Sequence, residues 1–321
     1  MTILVCGEAL YDVFLGAATP GGVALEARRG GSAFNVAIGL ARMGAPAGLF
    51  AGVGTDALGE GLSQALAREG VETGFLRRKA LRTTLALVAL GEDGGARYAF
   101  YGEGAADRAL TERDLPALNG VGALMFGCLS LLAEPTGSTY LALARRAREQ
   151  AAPPLITLDP NIRATVEPDM ARWRARVDAF AAEADVVKVS AEDLAALHPE
   201  LTEAEAAARW RAMGVGLAVV TRGPEGAVAY GRFGAVAIPA QAAAVADTVG
   251  AGDSFLAALV AHLAETGGLR PERLATLGAS EAEAALRFAV RAAALTCGRR
   301  GADLPRRADL DPATERIERR S

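Results

Sequence analysis

Apolar positions along this chain follow two rhythms that take turns. Short unbroken runs, such as "ILVC" at 3–6, "ALMFGCL" at 123–129, "PLITLD" at 154–159, "DVVKVS" at 185–190 and "GLAVV" at 216–220, read as buried strands. Between them lie stretches with apolar residues at helical spacing, over 33–44, 57–70, 136–150, 168–182, 191–197, 203–214, 251–265 and 280–296. Asp56 stands where an N-cap belongs, and Gly44 and Gly70 stand where helices stop. Strands alternating with helices predict right-handed crossovers and a mostly parallel sheet covered on both faces. In such a sheet, ligands bind beyond the C-terminal ends of the strands. Those ends are Gly7-Glu8, Gly127–Leu129, Asp159–Asn161, Lys188–Ser190 and Thr221–Gly223.

The alternation breaks at "TTLALVALGEDGGARYAFY" (83–101), where two β-rich runs flank a turn and no helix intervenes. A second, shorter hairpin is predicted over 226–240. The uncharged stretch Leu115–Ala133 contains Pro116, Asn119 and glycines, so it reads as a strand and a loop rather than a membrane span. The tail after Arg306 is charged and is expected to fray.

Composition narrows the function classes. Hydrophobic residues at 51% supply a sizeable core, and a net charge of −4 leaves no basic stripe for nucleic acid. A small-molecule partner is expected. Cys6, Cys128 and Cys297 lie far apart without CxxC spacing, which suits free thiols in a reducing compartment. The N-terminus reads as a strand rather than a signal peptide, so the expected location is cytoplasmic.

Two clusters carry candidate chemistry. In "DTVGAGDS" (247–254), Gly250, Ala251 and Gly252 precede a helical pattern. Small residues, free N–H groups and the positive end of a helix dipole there favour an anion such as a terminal phosphate. A carboxylate at Asp253 makes sense beside that anion if a hydroxyl sits between the two and gives up its proton during in-line attack. An ordinary glycine-rich turn is the competing reading of these eight residues alone. In "GGSAFNVA" (30–37), Gly31 lets a polar ligand approach the backbone, and Asn35 offers a donor and an acceptor to hydroxyls; a capped turn entering a packed helix competes.

Together the clusters resemble the paired signatures of the ribokinase family of carbohydrate kinases, GG-x-x-x-N-x-A and DT-x-GAGD. The resemblance extends through "GEALYD" (7–12), "DPNIR" (159–163), "VVKVS" (186–190) and "VVTRGPEGAVA" (219–229). "GGSAFNVAIGLARMG", "FGCLSLLAEPTGS" and "DPNIRATVEPD" look most like its bacterial fructokinases. The resemblance implies a ribokinase-like three-layer α/β sandwich forming a single kinase domain over 1–321. It also implies a small antiparallel β lid from parts of 12–30 and 74–103, and a homodimer formed through that lid. ATP and Mg²⁺, with K⁺ as a further cation, are the implied cofactors.

Residue roles follow from the same resemblance. Asp253 matches the catalytic base, Gly250–Gly252 the anion hole, and Asp12, Gly31 and Asn35 the sugar contacts. Arg163 stands to pair with phosphate oxygens or with a substrate carboxylate, assisted by Asn161. Arg97 and Tyr101 alternate on lid strands that face the sugar in one of two registers. Lys188, Ser190, Thr221, Gly223 and Gly226 match the nucleotide side; for Lys188 a structural ion pair competes. Where the family has N-x-x-E for hydrated Mg²⁺, this chain has Ser190-Ala191-Glu192-Asp193, so Asp193 and Glu192 are rival candidates. Asp247, the Val249 carbonyl and carbonyls near 296–301 match a monovalent-cation site.

The implied reaction is ATP-dependent phosphorylation of a primary sugar hydroxyl, with fructose as the leading substrate. A 2-keto-3-deoxygluconate kinase or a ribokinase of the same family, and a binding protein without turnover, are the alternatives. A dinucleotide dehydrogenase is disfavoured because no GxGxxG follows the first strand.

Overall fold

The computed structural model describes residues 1–90, 96–241 and 243–310. The chain opens with β1 (Thr2–Cys6), β2 (Leu10–Thr19), β3 (Gly22–Gly30) and α1 (Ser32–Arg42). It continues with β4 (Ala47–Phe50), β5 (Gly52–Gly54), α2 (Ala57–Arg68), β6 (Arg77–Lys79), β7 (Leu85–Leu90) and β8 (Ala96–Tyr101). Then follow β9 (Val121–Gly127), α3 (Thr136–Arg148), β10 (Leu155–Asp159), α4 (Met170–Ala181), β11 (Val186–Ser190), α5 (Ala191–Leu197) and α6 (Glu203–Ala212). The last elements are β12 (Leu217–Thr221), β13 (Ala227–Gly231), β14 (Gly234–Ile238), α7 (Ala251–Glu265), α8 (Pro271–Ala275) and α9 (Ala279–Cys297).

The large sheet has the order β14-β13-β12-β11-β10-β9-β1-β4. Its pairings from β12 to β4 are parallel, and β13 and β14 add an antiparallel edge. Period-2 alternation divides β1 between two cores. Ile3 and Val5 pack with Leu40 of α1, Leu62 of α2, Leu259 of α7 and Leu286 of α9. Leu4 and Cys6 pack with Leu143 of α3, Trp173 of α4, Leu197 of α5 and Trp210 of α6. The result is the expected sandwich, with helices on both faces. At the C-terminal end of the sheet the Tyr140 hydroxyl reaches the carbonyls of Gly7 (3.2 Å) and Phe50 (2.9 Å), tying β1 to β4.

A second sheet, β3-β2-β7-β8, stands off this edge. It consists of two antiparallel hairpins joined by a parallel pairing of Tyr11–Phe14 with Leu85–Val88. The turn of the second hairpin, 91–95, lies outside the described residues.

Several expectations change. The second sheet resumes at β7 rather than at residue 74, because β6 pairs in parallel with β5 instead. The run "GLFAGVG" (48–54), whose apolar pattern predicts one strand, is two, since Gly52 leaves the main sheet and presses on Ala106, whose carbonyl oxygen would lie 1.9 Å from a Cβ there. Of the tail after Arg306, residues 307–310 form a short 3-10 turn with Leu310 buried, and the rest lies outside the described residues. Helix α8, opened by Pro271, had too few residues to show a period. Leu115–Ala133 contains β9 and a 3-10 turn, and no described helix is long and apolar enough to cross a membrane. All three cysteines are free; Cys6 and Cys128 are buried and Cys297 half-buried.

Candidate active site

The site forms where α7 begins. Asp247 ties two loops together, its carboxylate accepting from the N–H groups of Val249 (3.0 Å) and Gly301 (2.9 Å). Burial alone would raise its pKa, but these backbone donors and that of Thr248 hold it below the usual carboxylate range. Gly250 then turns the chain into the helix at φ +80°. A Cβ there would lie 2.8 Å from the Ala302 Cβ and 2.9 Å from its Cα. Ser254 N–H bonds the Gly250 carbonyl at 2.8 Å and Ala251 N–H the Thr248 carbonyl at 3.3 Å, which leaves the N–H groups of Gly252 and Asp253 for an outside acceptor.

Asp253 lies in this first turn and is 8% exposed. Its Oδ1 accepts from Ser32 Oγ (2.6 Å) and its Oδ2 from Asn35 Nδ2 (2.8 Å). Both partners come from the first turn of α1, which packs closely on α7: a Cβ on Gly39 would lie 2.8 Å from the Ala257 Cβ. Burial raises the Asp253 pKa; the Ser32 and Asn35 donors oppose this, Asp159 adds to it and Lys188 subtracts. A carboxylate so placed is fixed in orientation and primed to take a proton.

A cavity of about 300 Å³ opens over Asp253. Gly250, Gly252, Thr248 and Val249 form one side, and Gly31, Ser32 and Asn35 form another. Asp12 and Leu10 enter from β2, Phe100 from β8, and Glu8, Cys128, Asn161 and Arg163 from the strand ends. Gly31 is at φ +102°, and a Cβ there would lie 2.8 Å from the Glu8 carbonyl oxygen, so only glycine fits. Asp12 is pushed up to about 6 by burial, with Arg163 opposing and Asp253 reinforcing the shift. Burial alone would lower the Arg163 pKa, but Cys128, Asp253, Asp193 and Glu8 around it raise it. Its Nη1 donates to the Ile162 carbonyl at 2.9 Å, which aims the guanidinium. A cavity of similar volume near Met1, Glu265 and Arg270 lies away from the C-terminal strand ends.

Beside Gly252 sits a buried charged group. Lys188 Nζ donates to Asp159 Oδ2 at 2.8 Å, and a Cβ on Gly252 would lie 3.3 Å from that nitrogen. Asp159 Oδ1 has no partner. Asp193 faces the pair: burial and Asp159 raise its pKa, while Lys188 lowers it. Ser190 pairs with Thr221 across β11 and β12, and its hydroxyl caps α5 by accepting from Asp193 N–H at 3.0 Å. Gly223 (φ +52°) and Gly226 (φ +97°) shape the turn into β13, where a Cβ on Gly226 would lie 2.0 Å from the Ile238 carbonyl oxygen.

The structure thus brings Asp253, Gly250, Gly252, Asp12, Gly31, Asn35, Asn161, Arg163 and Val249 to one cavity. Ala251 occupies the first position of α7 between the two glycines. Lys188, Ser190, Thr221, Gly223, Gly226, Asp193 and Asp247 do not line this cavity. Lys188 makes the ion pair that competed with its phosphate role, though its nitrogen also borders Gly252. Two expectations are corrected. Tyr101 is 65% exposed and Phe100 lines the cavity instead, because the register put the neighbouring residue inward. Glu192 is exposed, while Asp193 turns toward Asp159 and Lys188. Arg97 of β8 pairs with Ala89 of β7, but its side chain lies outside the described residues. Sequence reasoning missed Glu8, Ser32 and Asp159 as site residues, although each stood at a flagged strand end or inside a flagged cluster.

Comparison with known proteins agrees with this geometry. Residues 2–309 match the family described as pfkB family carbohydrate kinase. A fructokinase of Rhizobium leguminosarum bv. trifolii is 40% identical over 86% of this chain and 83% of its own length. The crystal structure of a Xylella fastidiosa fructokinase with bound ATP superposes with a TM-score of 0.89 at 27% identity, covering 100% of this chain and 99% of that one. A Vibrio cholerae O395 fructokinase with fructose, ADP and calcium ion bound gives a TM-score of 0.81 at 26% identity, over 96% of this chain and 97% of the other. The glycine turn and the carboxylate at the start of α7 therefore stand in a shared framework, and the chain belongs to the pfkB family of carbohydrate kinases.

Proposed function

We propose that this kinase is an ATP-dependent fructokinase that transfers the γ-phosphoryl group to a primary hydroxyl of fructose. One observation carries the mechanism: Asp253 is held by Ser32 and Asn35 at the N-terminus of α7, inside the cavity that Gly250 and Gly252 help to line. The sugar oxygen attacks Pγ in line, its proton passes to Asp253, the bond from Pγ to the bridging oxygen breaks, and ADP leaves. N–H groups of the Gly250–Gly252 turn and the Arg163 guanidinium receive the charge that develops on the phosphoryl oxygens. Asp12, Gly31, Asn35 and Asn161 hold the other sugar hydroxyls. The nucleotide extends past Lys188 toward Ser190, Thr221, Gly223 and Gly226. The lid of β2, β3, β7 and β8 excludes water that competes with the sugar.

Metal ions fit the same surroundings. The half-buried Asp193 and the unpartnered Asp159 Oδ1 supply oxygen donors suited to hydrated Mg²⁺, which neutralises phosphate charge when bound. The Asp247 carboxylate and the Val249 carbonyl, beside the loop ending at Gly301, suit a monovalent cation such as K⁺.

The relatives named above are fructokinases, and the charge of the cavity favours a neutral sugar. Its described charged residues are Glu8, Asp12 and Asp253 against Arg163, a poor setting for the carboxylate of 2-keto-3-deoxygluconate. The oriented Asp253 counts against a binding protein without turnover. The test is ADP release with Mg²⁺ and K⁺ over fructose, ribose, glucose, 2-keto-3-deoxygluconate and nucleosides. Fructose is expected to give the highest kcat/KM; turnover on the keto acid alone would keep the kinase and remove the fructose assignment.

The exposed apolar side chains Leu15 (44%), Val23 (49%) and Leu25 (58%) on β2 and β3 support a homodimer formed through the lid. Light scattering is expected to give twice the 33.0 kDa chain mass, and Leu25→Glu to shift it toward monomer. A monomeric wild type would remove this assembly.

A further inference from the structure

Glu8 is a carboxylate that the proposed mechanism does not use. It follows β1 directly, is 5% exposed, and lines the same cavity as Asp12 and Asp253. Its two oxygens differ. Oε1 accepts from the Ser32 N–H at 3.2 Å, a first-turn donor of α1 for which the N-cap residue, Gly31, has no side chain to offer. Oε2 is buried and has no well-formed hydrogen bond, only the weak thiol donor of Cys128 and the Ser130 hydroxyl beside the carboxyl group. The neighbouring Ser130 has spent its proton on the Gly127 carbonyl at 2.6 Å. A buried acceptor left open is costly, and folded chains rarely keep one without a use. Here the under-used acceptor belongs to a residue in the wall of a ligand cavity, and a sugar offers hydroxyl donors.

We propose that Glu8 is a sugar-contact residue whose Oε2 accepts a hydroxyl of a neutral polyhydroxylated substrate, while Oε1 keeps the start of α1 in place. The proposal rests on the sugar-kinase reading above and deepens it. It assigns Glu8 a share in substrate choice, because a hydroxyl satisfies Oε2 and a carboxylate on the substrate is repelled by it. It also joins recognition to catalysis in one chain of contacts. Glu8 holds the Ser32 N–H, and Ser32 Oγ holds Asp253 Oδ1 at 2.6 Å.

The test compares wild type, Glu8→Gln and Glu8→Ala. Glutamine keeps a carbonyl oxygen for the Ser32 N–H but replaces the other acceptor by an NH₂ donor. Glu8→Gln is expected to raise KM for fructose about ten- to a hundredfold, the loss of a hydrogen bond to a charged acceptor. KM for ATP and the melting temperature should stay near wild type. Calorimetric titration with fructose should show the same loss without turnover. Monodeoxy fructoses supply the sharper readout: wild type should be penalised for the absence of one particular hydroxyl, and the glutamine variant should not. Glu8→Ala is expected to lower the melting temperature as well, because the Ser32 N–H loses its acceptor. A glutamine variant with wild-type fructose KM and binding, beside an alanine variant of reduced stability, would make Glu8 a helix cap only and overturn the proposal. The wild type separates this from failure of the fructose reading. If it prefers another neutral sugar, the comparison is read on that sugar; if it accepts only a sugar acid, both proposals fall.

Discussion

Asp253→Asn is expected to lower kcat on fructose about 10²- to 10⁴-fold, the usual contribution of a general base. KM for both substrates should move only a few-fold. Asparagine has the same shape, and its carbonyl oxygen still accepts from Ser32 or Asn35, the two donors that hold Asp253 at 2.6 and 2.8 Å. What it lacks is the ability to take a proton. Stability should not fall, since the change removes a buried ionisable group whose charged form burial disfavours. The pH profile supplies a second check. The carboxylate pKa of Asp253 is raised, and that of Asp12 lies at about 6. Both groups work as acceptors, so wild-type kcat/KM should decline as pH falls through 6 and below. The part of that decline seen in kcat belongs to Asp253 and should vanish in the residual activity of the asparagine variant. Retention of turnover within tenfold of wild type would remove Asp253 from the proton-transfer step.

Gly250→Ala is expected to cost both activity and stability. The residue sits at φ +80°, where an L side chain costs roughly 1–2 kcal/mol. The added Cβ would also lie 2.9 Å from the Ala302 Cα, which is backbone and has no rotamer to escape into. Overpacking of this kind adds about 1–3 kcal/mol. The strain falls on the turn that aims the first N–H groups of α7, so those donors shift relative to Asp253. A displacement of that order should lower kcat by about 10²-fold. The melting temperature should fall by several degrees. A variant that loses stability but keeps kcat would show that the turn serves folding and not phosphoryl transfer.

Much of this was legible from residue order. Helix α7 occupies the 251–265 predicted from its apolar spacing, and the glycine turn and Asp253 begin it as the motif required. Three of the five flagged strand ends, at Glu8, at Cys128 and Leu129, and at Asn161, line one cavity, because a parallel sheet leaves its C-terminal ends on one side. What stayed hidden depends on residues far apart in sequence. Lys188 and Asp159 are 29 positions apart and meet only because β10 and β11 are neighbours. The departure of Gly52 from the main sheet follows from its contact with Ala106, which no local pattern announces. Phe100 and Tyr101 are equally suited to a strand, and one step of register decides which faces the cavity. The cap that the Ser190 hydroxyl gives α5 was equally hidden behind its reading as a nucleotide-side residue.

The hydrogen bonds to Asp253 span 221 and 218 residues, from α1 near the start of the chain to α7 near its end. During synthesis, the first half of this protein therefore leaves the ribosome with the Ser32 and Asn35 donors but without the carboxylate they hold. Strands β1, β4 and β9 can assemble early, yet the surface of α1 that will hold Asp253 stays open until α7 emerges. A nascent or truncated chain has no complete centre with which to split ATP. Phosphoryl transfer is among the last capacities the growing polypeptide acquires.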